Sequence, residues 1–194
     1  MKYDFIEIGT CNFTAICQSS LEGNRGICIE PVREYLRNLP EKIGITKLCA
    51  AISNVDGETT AIHLKPEVAS TFSAAVRGCT AMGKIHPKIK RLIAQKKVSL
   101  EDLIHARVPQ FSLFSLYKMF DVTELGVLKI DAEGMDTRIL LGYFQGRDEV
   151  LLPKSIVFEA NELSPEGESD LVINLLKIHG YAQKHRGRDV VMVR

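Results

Sequence analysis

Short apolar runs alternate with segments of helical spacing along most of the chain. The runs are nearly continuous rather than alternating with polar residues, which is typical of strands covered on both faces. They lie at residues 5–9, 26–30, 46–53, 126–131 and 155–159. Helical spacing of apolar residues lies at 10–21, 34–42, 136–144 and 170–179. This order predicts an α/β fold with a mostly parallel sheet and helices on both faces.

The last part of the chain has a different pattern. Residues 181–186 and 190–193 are typical of two strands, and Gly187-Arg188-Asp189 between them is a turn signal. The sheet is therefore predicted to end in a C-terminal antiparallel hairpin. Five parallel strands and this hairpin make seven strands, which match the seven-stranded sheet of a methyltransferase better than the six parallel strands of a dehydrogenase.

Residues 65–110 interrupt this order, because their periodicity is weak apart from one basic amphipathic helix. Its apolar face has Ile85, Ile89, Leu92 and Ile93. Its cations are Lys88, Lys90, Arg91, Lys96 and Lys97. A solvated helix face is the simpler interpretation, and a surface that attracts an acidic substrate, nucleic acid or lipid is the alternative. We predict one domain over residues 1–194, with 65–110 as an insertion.

Composition and charge argue against several classes of protein. The chain has 194 residues and a net charge of +1, which does not suit a protein built mainly to hold nucleic acid. No apolar run approaches the roughly 18 residues of a membrane span, and the start lacks the features of a signal peptide, so we expect a cytoplasmic protein. The five cysteines form no C-x-x-C pair and are expected to be buried thiols.

The first strand ends in a glycine turn, and the second ends in an acid. Residues 5–9, Phe-Ile-Glu-Ile-Gly, are followed by Glu30 at the spacing of about 20 residues that a nucleotide-binding βαβ unit shows. In the dehydrogenase fingerprint, further glycines let the backbone approach a diphosphate, and here Cys11 and Phe13 spoil that spacing. S-adenosylmethionine (SAM) carries no phosphate and does not need these glycines. We therefore predict SAM as the cofactor, with Glu30 accepting hydrogen bonds from its ribose. The alternatives are a solvated strand end at Glu30 and an ordinary turn at Gly9.

A lysine lies in a strand that should be covered on both faces. Alternation places Lys129 and Asp131 on the face opposite to Ile130, and a buried ammonium group needs a partner. Glu7 stands two residues before the end of its strand, as Lys129 does, so the two would meet if the strands are neighbours. Asp131 is the other candidate partner. We predict a structural rather than a catalytic lysine.

Four motifs together resemble the FkbM family of SAM-dependent methyltransferases. They are Phe-Ile-Glu-Ile-Gly-Thr-Cys-Asn at 5–12, Cys-Ile-Glu-Pro at 28–31, Ala-Ile-Ser at 51–53 with Asp-Gly at 56–57, and Leu-Lys-Ile-Asp-Ala-Glu-Gly-Met-Asp at 128–136. The resemblance implies a Rossmann-like class I methyltransferase fold, SAM as the cofactor, and O-methylation of a hydroxyl on a sugar or small metabolite.

The resemblance also implies a set of cofactor-binding residues. Carried over by position, they are Glu7, Gly9, Thr10, Asn12, Glu30, Pro31, Ile52, Ser53 and Asp131. Glu7, Gly9 and Asn12 would surround the methionine end of SAM, and Glu30 its ribose. Ile52 and Ser53 would lie near the adenine, with Asp131 at the mouth of the site.

Two features depart from the family pattern. Phe13 stands where the family usually has a small glycine, so the first turn must have a different shape. Many members carry an N-terminal extension that helps to cover the pocket, whereas only four residues precede the first strand here. We expect the insertion at 65–110, or a second subunit of a homodimer, to supply this cover.

Methyl transfer to an alcohol requires that the hydroxyl lose its proton, which a carboxylate base or a metal ion can assist. Asp131 and Glu133 follow one strand and are the predicted catalytic residues. Asp131, Glu159 and Asn161 could converge on a divalent cation such as Mg²⁺, although carboxylates at strand ends also serve as helix caps and solvated acids. None of the five histidines lies in a recognisable motif.

Two other functions stay open at this point. A nucleic-acid methyltransferase is supported by the basic helix alone, and the strand that ends at Asp131 lacks the Asn-Pro-Pro-Tyr motif of enzymes that methylate base amino groups. A noncatalytic SAM-binding interaction module is the alternative from another class, motivated by Phe13 and the missing N-terminal cover. The sequence does not identify the methyl acceptor.

Overall fold

The computed structural model describes residues 1–11, 16–145, 150–160 and 163–194. Within them lie eleven strands: β1 (Lys2–Ile8), β2 (Gly26–Ile29), β3 (Ile45–Leu48), β4 (Ala51–Ser53), β5 (Gly57–Leu64), β6 (Ala81–Met82), β7 (Leu103–Ser112), β8 (Glu124–Ile130), β9 (Ser155–Glu159), β10 (Ala182–Arg186) and β11 (Asp189–Val193). The same residues form eight α-helices: α1 (Ile16–Ser19), α2 (Arg33–Arg37), α3 (Pro66–Ala69), α4 (Ala74–Arg77), α5 (Pro87–Ala94), α6 (Leu113–Met119), α7 (Asp136–Phe144) and α8 (Glu168–Ile178).

Seven of the strands form the main sheet, in the order β10-β11-β9-β8-β1-β2-β3. Strands β3, β2, β1, β8 and β9 are parallel to one another, whereas β11 is antiparallel to both β9 and β10. The predicted mixed α/β fold with a seven-stranded, mostly parallel sheet is confirmed. The strand order reverses between β1 and β8, and ligands of open α/β sheets bind beyond the carboxyl ends of the strands at such a point.

Helices cover both faces of the main sheet. Successive residues of a strand point to opposite sides, so each strand packs against both helix layers. On one side, Ile6 packs in a cluster with Leu140 of α7 and with residues of α6 and α8. On the other side, Phe5 packs with Cys17 of α1 and Leu36 of α2. A strand enclosed in this way is apolar on both faces, which explains the continuous apolar runs in the sequence.

The other four strands form a second sheet, in the order β4-β7-β5-β6. Strands β5 and β7 pair antiparallel from Gly57 opposite Gln110 to Leu64 opposite Leu103. The prediction of one strand over 46–53 is wrong, because β3 ends at Leu48 and β4 begins at Ala51 in the other sheet. A continuous apolar run does not distinguish one strand from two strands that enter different sheets.

Two predicted helices are shorter in the structure. In place of a helix over 10–21, the described residues form α1 from Ile16 to Ser19, and Cys11 has a positive φ of 46°. In place of a helix over 34–42, α2 ends at Arg37, shortly before Pro40, whose ring is incompatible with a helix interior. Helix α7 spans the predicted residues, and α8 is displaced from its predicted bounds by one or two residues.

The insertion at 65–110 contains α3, α4, β6, α5 and most of β7. Its buried cluster includes Ile89 and Leu103 and is distinct from the clusters of the main sheet. Helix α5 is the predicted basic helix, with Ile89 buried while Lys90 and Arg91 are exposed. Lys90 and Arg91, on the polar side of α5, are therefore solvated. The insertion supplies β6 and most of β7 to the second sheet, and its His86 reaches Glu133 beyond the carboxyl end of β8.

Candidate active site

A trough lies at the carboxyl ends of β1 and β8, where the strand order reverses. Gly9 follows β1 and Asp131 follows β8. Gly9 has a φ of +76°, and a Cβ built on it would lie 1.8 Å from the carbonyl oxygen of Asp131. Only glycine therefore lets these two loops touch. Their contact fixes the floor of the trough.

The trough has an apolar end and a charged end. The apolar end is lined by Pro31, Ala50, Ala51, Ile52 and Met82. The charged end is lined by Lys88, Asp131, Glu133 and Arg188. Gly9, Gly78, Asp131 and Glu133 border both ends, so the two form one continuous surface. The apolar end encloses about 50 Å³ in this structure, and about 450 Å³ when space open to solvent is counted.

Asp131 lies where the two ends of the trough meet. Burial, and then the neighbouring carboxylates of Glu159 and Glu133, raise the pKa of Asp131 to about 6, although the cations of Lys129 and Arg188 act in the opposite direction. A carboxylate with this pKa is mostly ionised at neutral pH and accepts a proton more readily than an exposed aspartate does. This is the property required of a general base.

Glu133 is held by a histidine from the insertion. Its φ of +48° is rare for a residue other than glycine, and its Oε2 lies 3.0 Å from His86 Nε2. The Nδ1 atom of His86 accepts a hydrogen bond of 3.1 Å from the backbone N–H of Lys88. Because Nδ1 accepts, the proton of the neutral ring lies on Nε2 and is donated to Glu133. His86 thereby links the insertion to the charged end.

Glu30 connects the glycine turn to the end of β2. Its Oε2 accepts a hydrogen bond of 2.9 Å from Cys11 N, and its Oε1 accepts one of 2.9 Å from Val32 N. The side chain is almost fully enclosed, and burial raises the pKa of Glu30 to about 7. Each ionised oxygen keeps a second lone pair that no protein donor uses in the hydrogen bonds described here. In this structure Pro31, and not Glu30, lines the trough.

Glu7 forms the ion pair predicted for Lys129. The two residues are opposite each other in the pairing of β1 with β8, and Lys129 Nζ lies 2.6 Å from Glu7 Oε1. The other oxygen of Glu7 accepts a hydrogen bond of 2.5 Å from Ile16 N. The Glu7 side chain is 0% exposed, and burial raises its pKa despite the opposing effect of Lys129. The predicted pair is confirmed.

A scan against family models matches residues 7–182 to the methyltransferase FkbM domain. The chain belongs to the FkbM methyltransferase family. The match runs through both sheets and the insertion, and it confirms the resemblance seen in the sequence motifs. Searches of curated proteins and of solved structures find no match.

Membership of the FkbM family makes this chain a methyltransferase. The predicted site residues can now be located relative to the trough. The structure brings five of them together along the trough: Gly9, Pro31, Ile52, Asp131 and Glu133. Four others lie behind this lining and are buried: Glu7, Thr10, Glu30 and Ser53. Asn12, also predicted at the methionine end, lies outside the described residues, as does Phe13. No helix in the described ranges is long and apolar enough to cross a bilayer.

The predicted magnesium site of this FkbM protein gains no support from the described residues. Asn161 lies outside them, and Glu159 already accepts a hydrogen bond from Arg188 Nε. A different group, Cys79, His86 and Glu133, has ligand atoms within 4.8 Å of one another. Within this group His86 hydrogen-bonds to Glu133, whereas the Cys79 thiol donates to the carbonyl oxygen of Ala75.

Several residues of the trough were not predicted as site residues from the sequence. His86 and Thr80 line or support the trough, although neither lies in a motif. The sequence predicts a basic helix at Lys88 and a turn at Arg188, but not a role for either residue in the site. The one local signal for His86 is its place before Pro87, the first residue of α5, where a side chain can cap the helix.

Proposed function

We propose that the protein is a SAM-dependent O-methyltransferase with a Rossmann-like class I fold, and that its acceptor is a hydroxyl of a sugar or small metabolite. The observation that carries the proposal is the trough with an apolar and a charged end. SAM has the same division, because an adenine ring lies at one end and a zwitterionic amino acid at the other. Counted along the chain, the main sheet has the order 3-2-1-4-5-7-6, and its first five strands follow the nucleotide-binding order.

The residues at each end suit this orientation of SAM. Pro31, Ile52 and Met82 offer apolar contacts for adenine, and Glu30 would hold the ribose through its unused lone pairs. Gly9 and Asp131 would lie beside the amino-acid end. When bound, SAM supplies an electrophilic methyl group on its sulfonium.

The chain's own residues would position the acceptor and move its proton. Asp131 accepts the hydroxyl proton, because its raised pKa lies close to neutrality. Glu133 lies beside it and is held in place by His86, so it can orient a second hydroxyl of the acceptor. Holding the hydroxyl oxygen at near-attack distance supplies much of the rate in such a transfer. Within the described residues, this chemistry uses carboxylates and does not call on a metal ion.

Two measurements on the purified protein test the proposal. Titration calorimetry with S-adenosylhomocysteine (SAH), the demethylated product, should show binding of one molecule per chain. Incubation of SAM with a panel of sugars and small hydroxylated metabolites should release SAH. Substitution of Asp131 by Asn should lower this turnover by about 100-fold or more, which is the typical contribution of a general base. Asp170→Asn, which removes a carboxylate of an exposed ion pair, is the matched control and should leave turnover unchanged.

The possible results separate the alternatives. Absence of both SAM and SAH binding would contradict the proposal. Binding without turnover on any acceptor would favour a noncatalytic module. Turnover on RNA or DNA, with binding that weakens steeply as salt is raised, would favour a nucleic-acid methyltransferase.

A further inference from the structure

A buried hydroxyl at the apolar end of the trough has no hydrogen-bond partner. Thr80 is 7% exposed, and its Oγ1 is enclosed without a partner among the described residues. Buried polar groups of native proteins are nearly always paired, so such an atom calls for an explanation. Thr80 borders the trough beside Ile52 and Met82. A hydroxyl both donates and accepts, so a polar atom of a bound ligand can complete its hydrogen bonding.

A cation at the charged end is also without an acidic partner. The Nζ atom of Lys88 lies 3.3 Å from the backbone carbonyl of Ala75, and in the described parts of the chain no carboxylate forms an ion pair with it. The other cation there, Arg188, already binds Glu159 through its Nε. A ligand that carries both an ammonium and a carboxylate group would place the ammonium near Asp131 and Glu133. Lys88 is then the cation left to bind the carboxylate.

Thr80 and Lys88 both belong to the insertion at 65–110 and not to the main sheet. We infer that the insertion binds both ends of the methyl donor, with Thr80 bonded to the adenosine part and Lys88 to the carboxylate of the amino-acid part. This inference rests on the proposed function, because it assumes that SAM occupies the trough. It makes the insertion part of the binding site as well as a cover over it.

Two ligands that differ only in the amino-acid part test this assignment. SAH has both ends, whereas 5′-methylthioadenosine has the adenosine part without the amino-acid carboxylate. Calorimetry with each ligand would be carried out on the unmodified protein, on Thr80→Val and on Lys88→Met. Lys90→Met, an exposed lysine on the same helix, is the matched control and should change neither affinity.

The two substitutions should have different patterns. Thr80→Val keeps the shape of the side chain and should weaken SAH and 5′-methylthioadenosine alike, by about 3- to 10-fold, as expected for one neutral hydrogen bond. Lys88→Met should weaken SAH by about 10-fold or more, as expected for a charged hydrogen bond, and leave 5′-methylthioadenosine unchanged. Lys88→Arg should restore most of the SAH affinity. Without ligand, Thr80→Val should unfold at the same or a higher temperature, because it removes an unpaired buried hydroxyl.

The outcome also separates this inference from the function on which it rests. If the unmodified protein binds neither ligand, the proposed function is wrong. If it binds SAH and either Thr80→Val or Lys88→Met leaves the SAH affinity within twofold of the unmodified value, the function stands and the inference is overturned. Unchanged affinity of Lys88→Met for 5′-methylthioadenosine shows in the same experiment that the variant is folded.

Discussion

The main sheet and the second sheet meet at the trough, but they are built in different ways. Every residue of β2 in the main sheet is buried, whereas β7 of the second sheet alternates between covered and exposed positions along much of its length. The parallel strands of the main sheet are enclosed by helices on both faces, whereas the antiparallel sheet has one solvated face. The main sheet thus forms the floor of the site, and the second sheet and insertion form its wall.

The pKa values of carboxyl groups also differ between the region of the main sheet and that of the second sheet. In the main sheet, burial raises the pKa of Glu30 to about 7 and that of Asp136 to about 7. In the second region, hydrogen bonds from Ser115 and Ser112 lower the pKa of exposed Asp56, and hydrogen bonds from Ser99 lower that of Asp102. Glu30 and Asp136 therefore hold their protons at unusually high pH. Acids of the second region are ordinary surface caps.

The largest effect is expected from adding a methyl group to the floor of the trough. Gly9→Ala would drive a Cβ into the Asp131 carbonyl and should lower the free energy of unfolding by about 4 kcal/mol or more, or prevent folding. Gly83→Ala in the insertion shares a positive φ but meets no atom within 4 Å, so it should cost about 1–2 kcal/mol. Urea unfolding measures both values. Equal costs would contradict the close contact between Gly9 and the Asp131 carbonyl at the floor of the trough.

A buried ion pair of the main sheet should contribute more to the free energy of unfolding than an exposed ion pair of the second sheet. Lys129→Met leaves the fully buried Glu7 carboxylate without its cation and should cost about 3 kcal/mol. The double variant Glu7→Gln/Lys129→Met should recover part of this loss, because no buried charge is then left unpaired. Arg107→Met, which breaks the exposed pair of the second sheet with Glu58, should cost at most about 1 kcal/mol. A cost for Arg107→Met as large as that for Lys129→Met would refute the comparison.

The pH dependence of stability follows from the raised pKa values in the main sheet. Between about pH 4 and pH 7 the folded protein binds more protons at Glu30 and Asp136 than the unfolded chain does. The free energy of unfolding should therefore fall by at least about 2 kcal/mol from pH 5 to pH 8. Below pH 4, the lowered pKa values of Asp56 and Asp102 reverse the slope. Urea titrations across this range should place the maximum near pH 4–5, and Asp136→Asn should flatten the decline. A stability that rises from pH 5 to pH 8 is the opposite result.

The smallest expected effect concerns His86, which links the insertion to Glu133 at the end of the main sheet. In His86→Gln, the side-chain amide nitrogen can reach towards Glu133. In His86→Asn, the side chain can accept a hydrogen bond from the backbone N–H of Lys88 but is too short to reach Glu133. Both lose ring packing, so turnover per folded molecule is the informative measurement. His86→Asn should turn over about 10-fold more slowly than His86→Gln at similar KM, which corresponds to about 1.4 kcal/mol. Equal turnover would show that His86 serves only to cap α5.

Local patterns predicted the main sheet better than the wall of the site. The pair of Glu7 and Lys129 could be predicted because both stand two residues before the end of a neighbouring strand. The single strand over 46–53 was wrong, because the chain changes sheets at Cys49 and Ala50 without a polar break. The role of His86 depends on Glu133, 47 residues away in the chain, and the unpaired state of the Thr80 hydroxyl is a property of packing. Neither leaves a periodicity or a motif in the sequence.

The structure of the protein crystallised with SAH tests the central claim most directly. We predict that the adenine lies in the apolar end of the trough beside Ile52 and Met82, with the ribose towards Glu30. The amino-acid end should lie between Asp131 and Lys88. SAH found elsewhere, or a trough that stays filled by the protein's own side chains in crystals saturated with SAH, would contradict the account.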